Sequence, residues 1–416
     1  MELKRVVVTG LGVLSPIGKT VDEYWKNLLS GVSGAAPITY FDTANFKTKF
    51  ACELKNFNVL NYMDNKEAHK MDPCAQYAIV AAQEAITHSG LDLEKSNLDR
   101  VGVVLGTGIG GCTSNTEAIV SFAESNLVPR FNPFFIPKIL GDIISGWISI
   151  KYGFRGPNYT TAAACASSGM AIADAYHLIQ LGKADVILSG GSEACIVGPT
   201  VGGFNAMRAL STRNEEYATA SRPYDVNRDG FVIGEGAAIL VLEELEHAKA
   251  RGANIFAEIC GIGLSADAYH LTAPHPEGLG GYNSMRLALE DAQLKPSDVD
   301  HINAHSTSTI PGDLSECNAI ESLFGKHAEK MCINATKSMT GHLLGAAAAL
   351  ESVSCILSLK ESIIPPTINL KERDPKINPN WNLVENKALK REINVAINNS
   401  FGFGGHNVSL LFKKFK

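Results

Sequence analysis

The feature that most narrows the folds open to this chain is that its second half repeats the order of motifs in its first. A strand-like run, Val6-Val7-Val8, leads into Thr9-Gly10-Leu11-Gly12, and the arrangement returns as Phe256-Ala257-Glu258-Ile259-Cys260-Gly261-Ile262-Gly263. Val101 to Gly106 (VGVVLG) precedes a glycine-rich loop, and Val299 to Ala304 (VDHINA) runs into His305. The small-residue stretch Thr160 to Gly169 is matched by Ala335-Thr336-Lys337-Ser338-Met339-Thr340-Gly341-His342, each opening a helix-like segment. Asp185 to Ser189 (DVILS) before Gly190-Gly191 is matched by Asn394 to Ile397 before a glycine-rich tail. Four echoes in the same order predict an internal duplication, with halves at 1–250 and 251–416 joined by a helix from Leu242 to Arg251 that Gly252 ends. Short β-rich runs alternating with helical stretches make each half a layered α/β unit. Equivalent loop tips from the two halves then converge on one site.

A length of 416 residues is ample for two such units. With 45% hydrophobic and 19% charged residues the chain is globular rather than disordered, and a net charge of −6 argues against the basic stripe of a nucleic-acid binder. The 9 cysteines are scattered and never spaced C-x-x-C, which suits a reducing compartment and offers neither a disulfide framework nor a zinc site. Met1-Glu2-Leu3-Lys4-Arg5 leads straight into the first strand, unlike a signal sequence, and no apolar run nears the ~18–20 residues of a membrane span. The expectation is a soluble cytoplasmic protein that binds neither nucleic acid nor membrane.

Cys165 precedes a run, Ala166 to Leu181, whose only strongly polar side chains are Asp174, His177 and Gln180, with Gly182 as a natural stop. A thiol at the N-terminus of a buried helix meets partial positive charge and free N–H groups, which favour thiolate and build a nucleophile. The bland alternative is that a free cysteine acts as a small apolar filler. His305 follows a buried-looking strand, and His342 opens a helix from Leu343 to Lys360, with Thr340 as its N-cap and Pro365-Pro366 beyond its end. Gly345 and Ala346 to Ala349 allow that helix to approach the one after Cys165 closely. A cysteine and two histidines leave two chemistries open. In a thiol hydrolase one imidazole acts as base, oriented by an amide or acid. Two imidazoles facing one point instead donate two N–H bonds to a single carbonyl oxygen and stabilise an enolate, which suits carbon–carbon bond formation on thioesters.

Further stretches sharpen the choice: Lys4 to Gly10, Ala209-Leu210-Ser211-Thr212-Arg213-Asn214, Ser221-Arg222-Pro223-Tyr224-Asp225, Arg228-Asp229-Gly230-Phe231-Val232 and Asn399-Ser400-Phe401-Gly402-Phe403-Gly404-Gly405. With these the chain resembles, over essentially its whole length, the elongating β-ketoacyl-[acyl-carrier-protein] synthases, the condensing enzymes of type II fatty acid synthesis, and most closely the long-chain members. The resemblance implies a thiolase-like, duplicated α-β-α-β-α layered fold. It implies that Cys165 accepts the acyl chain, that His305 and His342 assist decarboxylation of malonyl carrier protein, and that the N–H groups of Cys165 and Phe403 form an oxyanion hole. Phe401 and Phe403 act as a gate, Lys337 and Glu351 order the surroundings of His342, Thr307 and Thr309 hold the pantetheine arm, and Ile109 limits the depth of the acyl pocket. Acyl carrier protein is the implied partner, docking on Lys66, Lys70, Arg208 and Arg213. The implied assembly is a homodimer in which Phe134 and Phe135 complete the partner's pocket floor, and neither a metal nor a cofactor of the enzyme's own is implied.

The chain departs from the family pattern twice. Ser306 stands where the family has Gly, which predicts strain if the position needs φ > 0, and Ala163-Ala164-Cys165-Ala166 replaces the usual Thr-Ala-Cys. A thiolase acting on coenzyme A esters needs a second reactive cysteine near the C-terminal glycine-rich loop, whereas the last cysteine here is Cys355 and that loop holds His406. A non-catalytic homologue usually lacks the nucleophile. A dinucleotide-binding turn at Thr9-Gly10-Leu11-Gly12 fails the G-x-G-x-x-G spacing at Ser15, and Pro16 interrupts the helix it needs.

Overall fold

The Val-, Ile- and Ala-rich runs ahead of the glycine-rich loops become strands, as residues that fit a pleated, two-sided buried surface do. In the computed structural model, which describes residues 3–416, ten strands form one continuous sheet. They are β1 (Val6–Leu14), β2 (Val101–Gly106), β3 (Asn158–Thr161), β4 (Val186–Glu193), β5 (Gly236–Glu244), β6 (Ala257–Ala266), β7 (His301–Asn303), β8 (Cys332–Asn334), β9 (Val395–Gly402) and β10 (His406–Lys413). Their order across the sheet is β8-β7-β9-β10-β6-β1-β5-β4-β2-β3. Outward from the seam where β1 and β6 pair antiparallel, one side runs 1-5-4-2-3 and the other 6-10-9-7-8. Each of β6 to β10 thus occupies the place of the strand five earlier, and the motifs that echo in sequence sit at equivalent places.

Six helices complete the layers: α1 (Pro73–Ser89), α2 (Ile143–Tyr152), α3 (Ser167–Gln180), α4 (Leu279–Asp291), α5 (Ile310–Phe324) and α6 (Ala347–Glu361). Helices α1 and α2 cover one outer face, α4 and α5 the other, and α3 and α6 pack together between the two half-sheets. This is the α-β-α-β-α arrangement of the thiolase-like fold. On β5, Ala238, Leu240 and Leu242 face the middle core while Ala237, Ile239 and Val241 face α1, so the strand is apolar without alternation.

The Thr9-Gly10-Leu11-Gly12 run lies inside β1 and is extended strand, not a turn; it lets a helix close in. A Cβ on Gly12 would stand 1.9 Å from the Ala81 carbonyl oxygen of α1, and one on Gly263 of β6 would stand 1.8 Å from the Ser284 oxygen of α4. The glycine echo is therefore a packing device used twice.

Local boundaries correct three expectations. Leu242 to Glu244 finish β5, and the joining helix is only Leu245–Ala250, because the Glu244 side chain accepts the His247 N–H and caps it there. Thr340 caps nothing: it ends the short helix Lys337–Thr340, and its hydroxyl donates to the carbonyls of Thr336 and Gly341. Helices α3 and α6 each begin after a 3-10 turn, Ala164–Ala166 and Leu344–Ala346, whose first residue has a left-handed backbone with φ 48° in both. Among the described residues no helix is long and apolar enough to cross a membrane.

Gly12→Ala and Gly263→Ala should each destabilise the fold by about 1–3 kcal/mol through overpacking. Gly146→Ala in α2, where a Cβ meets nothing within 4 Å, should leave the urea midpoint unchanged or raise it. Equal midpoints for all three variants would refute the close-packing role.

Candidate active site

Cys165 stands in the 3-10 turn that leads into α3. The turn is braced from both sides: the Ser167 hydroxyl donates to the Ala164 carbonyl at 2.6 Å and accepts the Ala163 N–H at 2.9 Å, while the Ser400 hydroxyl donates to the Cys165 carbonyl at 3.0 Å. Gly402, at the end of β9, comes so near that a Cβ there would lie 2.6 Å from the Ala163 oxygen. That approach brings the Phe403 N–H onto the Cys165 sulfur, which its own N–H also faces. Burial pushes the thiol up to about 11, against the pull of the Lys337 charge and these two amides. The expected resting thiolate is thus corrected, because loss of water around the sulfur outweighs the partial charges of a helix end.

His342 is held by its backbone, its N–H donating to the Val232 carbonyl at 2.7 Å and its carbonyl accepting the Gly234 N–H at 2.9 Å. His305, just beyond β7, donates its N–H to Glu316 Oε1 at 2.9 Å. The imidazole centroids are 5.3 Å apart and the rings nearly perpendicular, at 84°. Both pKa values fall well below the ordinary histidine range, chiefly through burial and then through the nearby Lys337 charge, so both rings are neutral at physiological pH. Each Nδ1 is buried without a partner, which leaves Nε2 as the nitrogen directed at the cavity.

The condition for strain at Ser306 is not met. Its backbone is not left-handed, and its N–H and hydroxyl donate to Glu316 Oε2 at 2.8 and 2.9 Å, so serine adds a contact that glycine lacks. The left-handed residue of this loop is Ser308, at φ 70°.

One cavity of about 580 Å³ is lined by Cys165, His305, His342, Thr307, Thr309, Phe401, Phe403, Ile109 and Arg208. The Thr307 and Thr309 hydroxyls are 3.1 Å apart. Lys337 and Glu351 lie behind this wall as a buried ion pair, and burial pushes the Glu351 carboxyl up to about 7. Ile109 lines the cavity with 50% of its surface exposed. Phe134 and Phe135 lie outside the lining, with Phe134 beneath the Lys70 ammonium at 5.7 Å. Lys66 is exposed and away from the cavity wall, and Arg213 is engaged by Glu216 and Asp229.

Two carboxylates escaped the sequence reading. Glu316 of α5 gathers the amides of His305 and Ser306 together with the Asn399 side chain, and Glu193 at the end of β4 gathers those of Gly108, Ile109 and Gly345. Each had a signal. Glu193 ends an apolar strand with no solvent face, and Glu316 shares a helix stripe with Asp313, Cys317 and Ile320, all buried.

A duplicated fold that carries one cysteine and a pair of neutral imidazoles to a single cavity belongs to the thiolase-like acyltransferases. The chain is a member of the β-ketoacyl synthase family: the family's N-terminal domain matches residues 3–248 and its C-terminal domain residues 256–371. It is 48% identical over 413 residues to the 3-oxoacyl-[acyl-carrier-protein] synthase 2 of Staphylococcus aureus (strain COL), with 99% of each chain covered. It is 44% identical over 416 residues to the protein of that name from Synechocystis, covering 100% of this chain and 99% of that one. A type II polyketide ketosynthase solved with its acyl-carrier protein superposes with a TM-score of 0.92 at 32% identity, covering 100% of both chains. A Burkholderia phymatum β-ketoacyl synthase superposes at 0.91 with 36% identity, covering 99% of this chain and 100% of that one. The thiolase alternative falls away, since Cys165 is the only cysteine among the described residues lining the cavity.

Glu351→Ala, which strands the Lys337 charge in the interior, should cost about 3–5 kcal/mol in urea unfolding, and the paired replacement Lys337→Met with Glu351→Leu clearly less. Equal costs would show that the two charges do not compensate one another.

Proposed function

We propose that the chain elongates acyl groups by decarboxylative Claisen condensation with malonyl-[acyl-carrier-protein], yielding 3-oxoacyl-[acyl-carrier-protein]. The observation that carries the reading is the shared cavity of the Cys165 thiol and two neutral imidazoles. The Cys165 sulfur attacks the carbonyl carbon of the incoming acyl thioester, and its proton passes to the departing pantetheine sulfur. The oxygen that becomes negative in the tetrahedral state is held by the N–H groups of Cys165 and Phe403. In the second half-reaction His305 and His342 donate Nε2–H bonds to the thioester oxygen of the malonyl group. As the bond to the carboxylate breaks, CO₂ leaves and the electron pair is held as an enolate on that oxygen. The enolate carbon attacks the acyl carbonyl on Cys165, and the sulfur departs as thiolate and takes up a proton.

Thr307 and Thr309 hold the pantetheine arm, and Phe401 and Phe403 swing on Gly404 and Gly405, whose φ values of 87° and 75° suit glycine. The scheme asks for no cofactor, because the substrates ride on the arm of the carrier protein. Acidic carrier protein docks at the rim on Arg208, with Lys66 and Lys70 farther out and Arg213 contributing least because it is already paired.

The working assembly is a homodimer. Strand β3 ends the sheet with Asn158 and Tyr159 exposed, and α2, which packs against it, exposes Ile150, whereas β8 at the opposite end is buried. An open edge next to apolar surface calls for a second copy. The cytoplasm fits the 9 free cysteines.

Incubation with acyl carrier protein thioesters should leave an acyl adduct on Cys165 by mass spectrometry. His305→Ala and His342→Ala should keep that adduct while condensation drops by about 10²-fold or more; loss of acylation in both variants contradicts the assigned roles. Since depressed imidazole pKa values keep both rings neutral, condensation by the acylated enzyme should not titrate near the ordinary value of about 6.5 as pH falls from about 8 to 5.5. A midpoint there would overturn the neutral-imidazole scheme. Sedimentation should report twice the chain mass, and a monomer would remove the dimer.

A further inference from the structure

Glu193 is a wholly buried carboxylate behind the cavity wall, and among the described residues no cation pairs with it. Its partners are donors on two loop tips. Oε2 accepts the Gly108 N–H at 2.6 Å and the Gly345 N–H at 3.0 Å, while Oε1 accepts the Ile109 N–H at 3.2 Å and the Thr107 hydroxyl at 3.1 Å. Thr107 Oγ1 in turn accepts the Gly110 N–H at 3.1 Å, so Glu193 holds Thr107 to Gly110 directly or through one hydroxyl, while the Thr107 N–H donates to the Thr161 carbonyl at 3.2 Å. The tips are in contact: a Cβ on Gly345 would stand 2.2 Å from the Gly108 nitrogen. One tip carries Ile109 into the cavity wall, and the other follows His342 and carries Leu344 into the same wall. With half of its surface open, Ile109 is held by its backbone rather than by packing of its side chain.

We propose that Glu193 is a specificity-determining positioning residue, which pins the backbone of Gly108 and Ile109 to the turn behind His342 and thereby limits the length of acyl chain that Cys165 carries. The inference rests on the condensing function proposed above. A chain too long for the cavity must displace Ile109, and that displacement must break N–H bonds to a desolvated carboxylate, which are among the stronger neutral-donor bonds in a protein. In Glu193→Gln one oxygen becomes an NH₂ group that faces N–H or O–H donors, so one side of the pin is released.

Condensation rates of the full-length enzyme with hexanoyl and tetradecanoyl carrier protein provide the test. The kcat/KM ratio of long to short chain should rise about tenfold in Glu193→Gln, and by less but in the same direction in Thr107→Val, which removes one donor to the carboxylate together with the acceptor of the Gly110 N–H and leaves the Gly108, Ile109 and Gly345 amides on Glu193. In an Ile109→Ala background, adding Glu193→Gln should leave the ratio unchanged, because the residue it acts through is gone. An equal fall in rate for both chain lengths in Glu193→Gln and Thr107→Val, with the ratio unmoved, means a merely structural carboxylate and overturns the proposal. Should Glu193→Gln not fold, Thr107→Val alone decides by the direction of the ratio. A wild-type enzyme that condenses neither substrate sinks the condensing function and this inference with it, whereas one that condenses both with an unresponsive ratio sinks only the inference.

Discussion

At the centre of the molecule the N-terminal ends of α3 and α6 touch, the Ser168 hydroxyl accepting the Ala349 N–H at 3.0 Å. Gly169 makes the approach possible, since a Cβ there would lie 2.5 Å from Val408 and 3.3 Å from the Ala348 methyl. The turns that open these helices are thereby set side by side, one bearing Cys165 and the other following His342. A bulkier interface would part the halves and open the cavity they share.

Because both helices are sandwiched between half-sheets, the chemistry happens in a wall nearly free of water. The same desolvation acts with opposite sign on the two kinds of group: it holds the Cys165 thiol protonated and the imidazoles of His305 and His342 neutral. Neutral imidazoles are good donors toward a developing enolate. The buried carboxylates serve the backbone instead: Glu193 and Glu316 gather amides at loop tips, and Glu351 meets Lys337, whose charge depresses both histidines. A buried carboxylate that collects several N–H groups fixes loop geometry where side-chain packing is thin.

The halves share a plan and divide the labour. The first supplies the nucleophile and the Ile109 wall, and the second supplies both imidazoles and the threonines. They also differ at their edges: β8 is covered by its own chain through the Ile333–Asn382 hydrogen bond, while β3 is left open beside an apolar surface.

The duplicated layered fold, the strands β1, β2, β4, β6, β7 and β9 and the Cys165, His305 and His342 set were legible in the sequence, because period, glycine placement and residue type are local signals; β3, β5, β8 and β10 were not. Boundaries such as Leu242 to Glu244 were not, since pairing with β1 and β4 extends β5 past the point where the local pattern turns helical. Whether position 306 needs a left-handed backbone was likewise not legible, since the Ser306 amide and hydroxyl are held by Glu316, ten residues away on another element. The resting state of Cys165 was misjudged because the sequence shows a helix N-terminus in a buried segment but not how far desolvation of the sulfur outweighs it. What the chain determined by itself was which groups exist and the order in which two like halves present them. Tertiary structure decided which share a cavity, which are charged and which amides a distant carboxylate holds, because those depend on distances across the α3–α6 contact and on the exclusion of water, and neither is written in any local stretch.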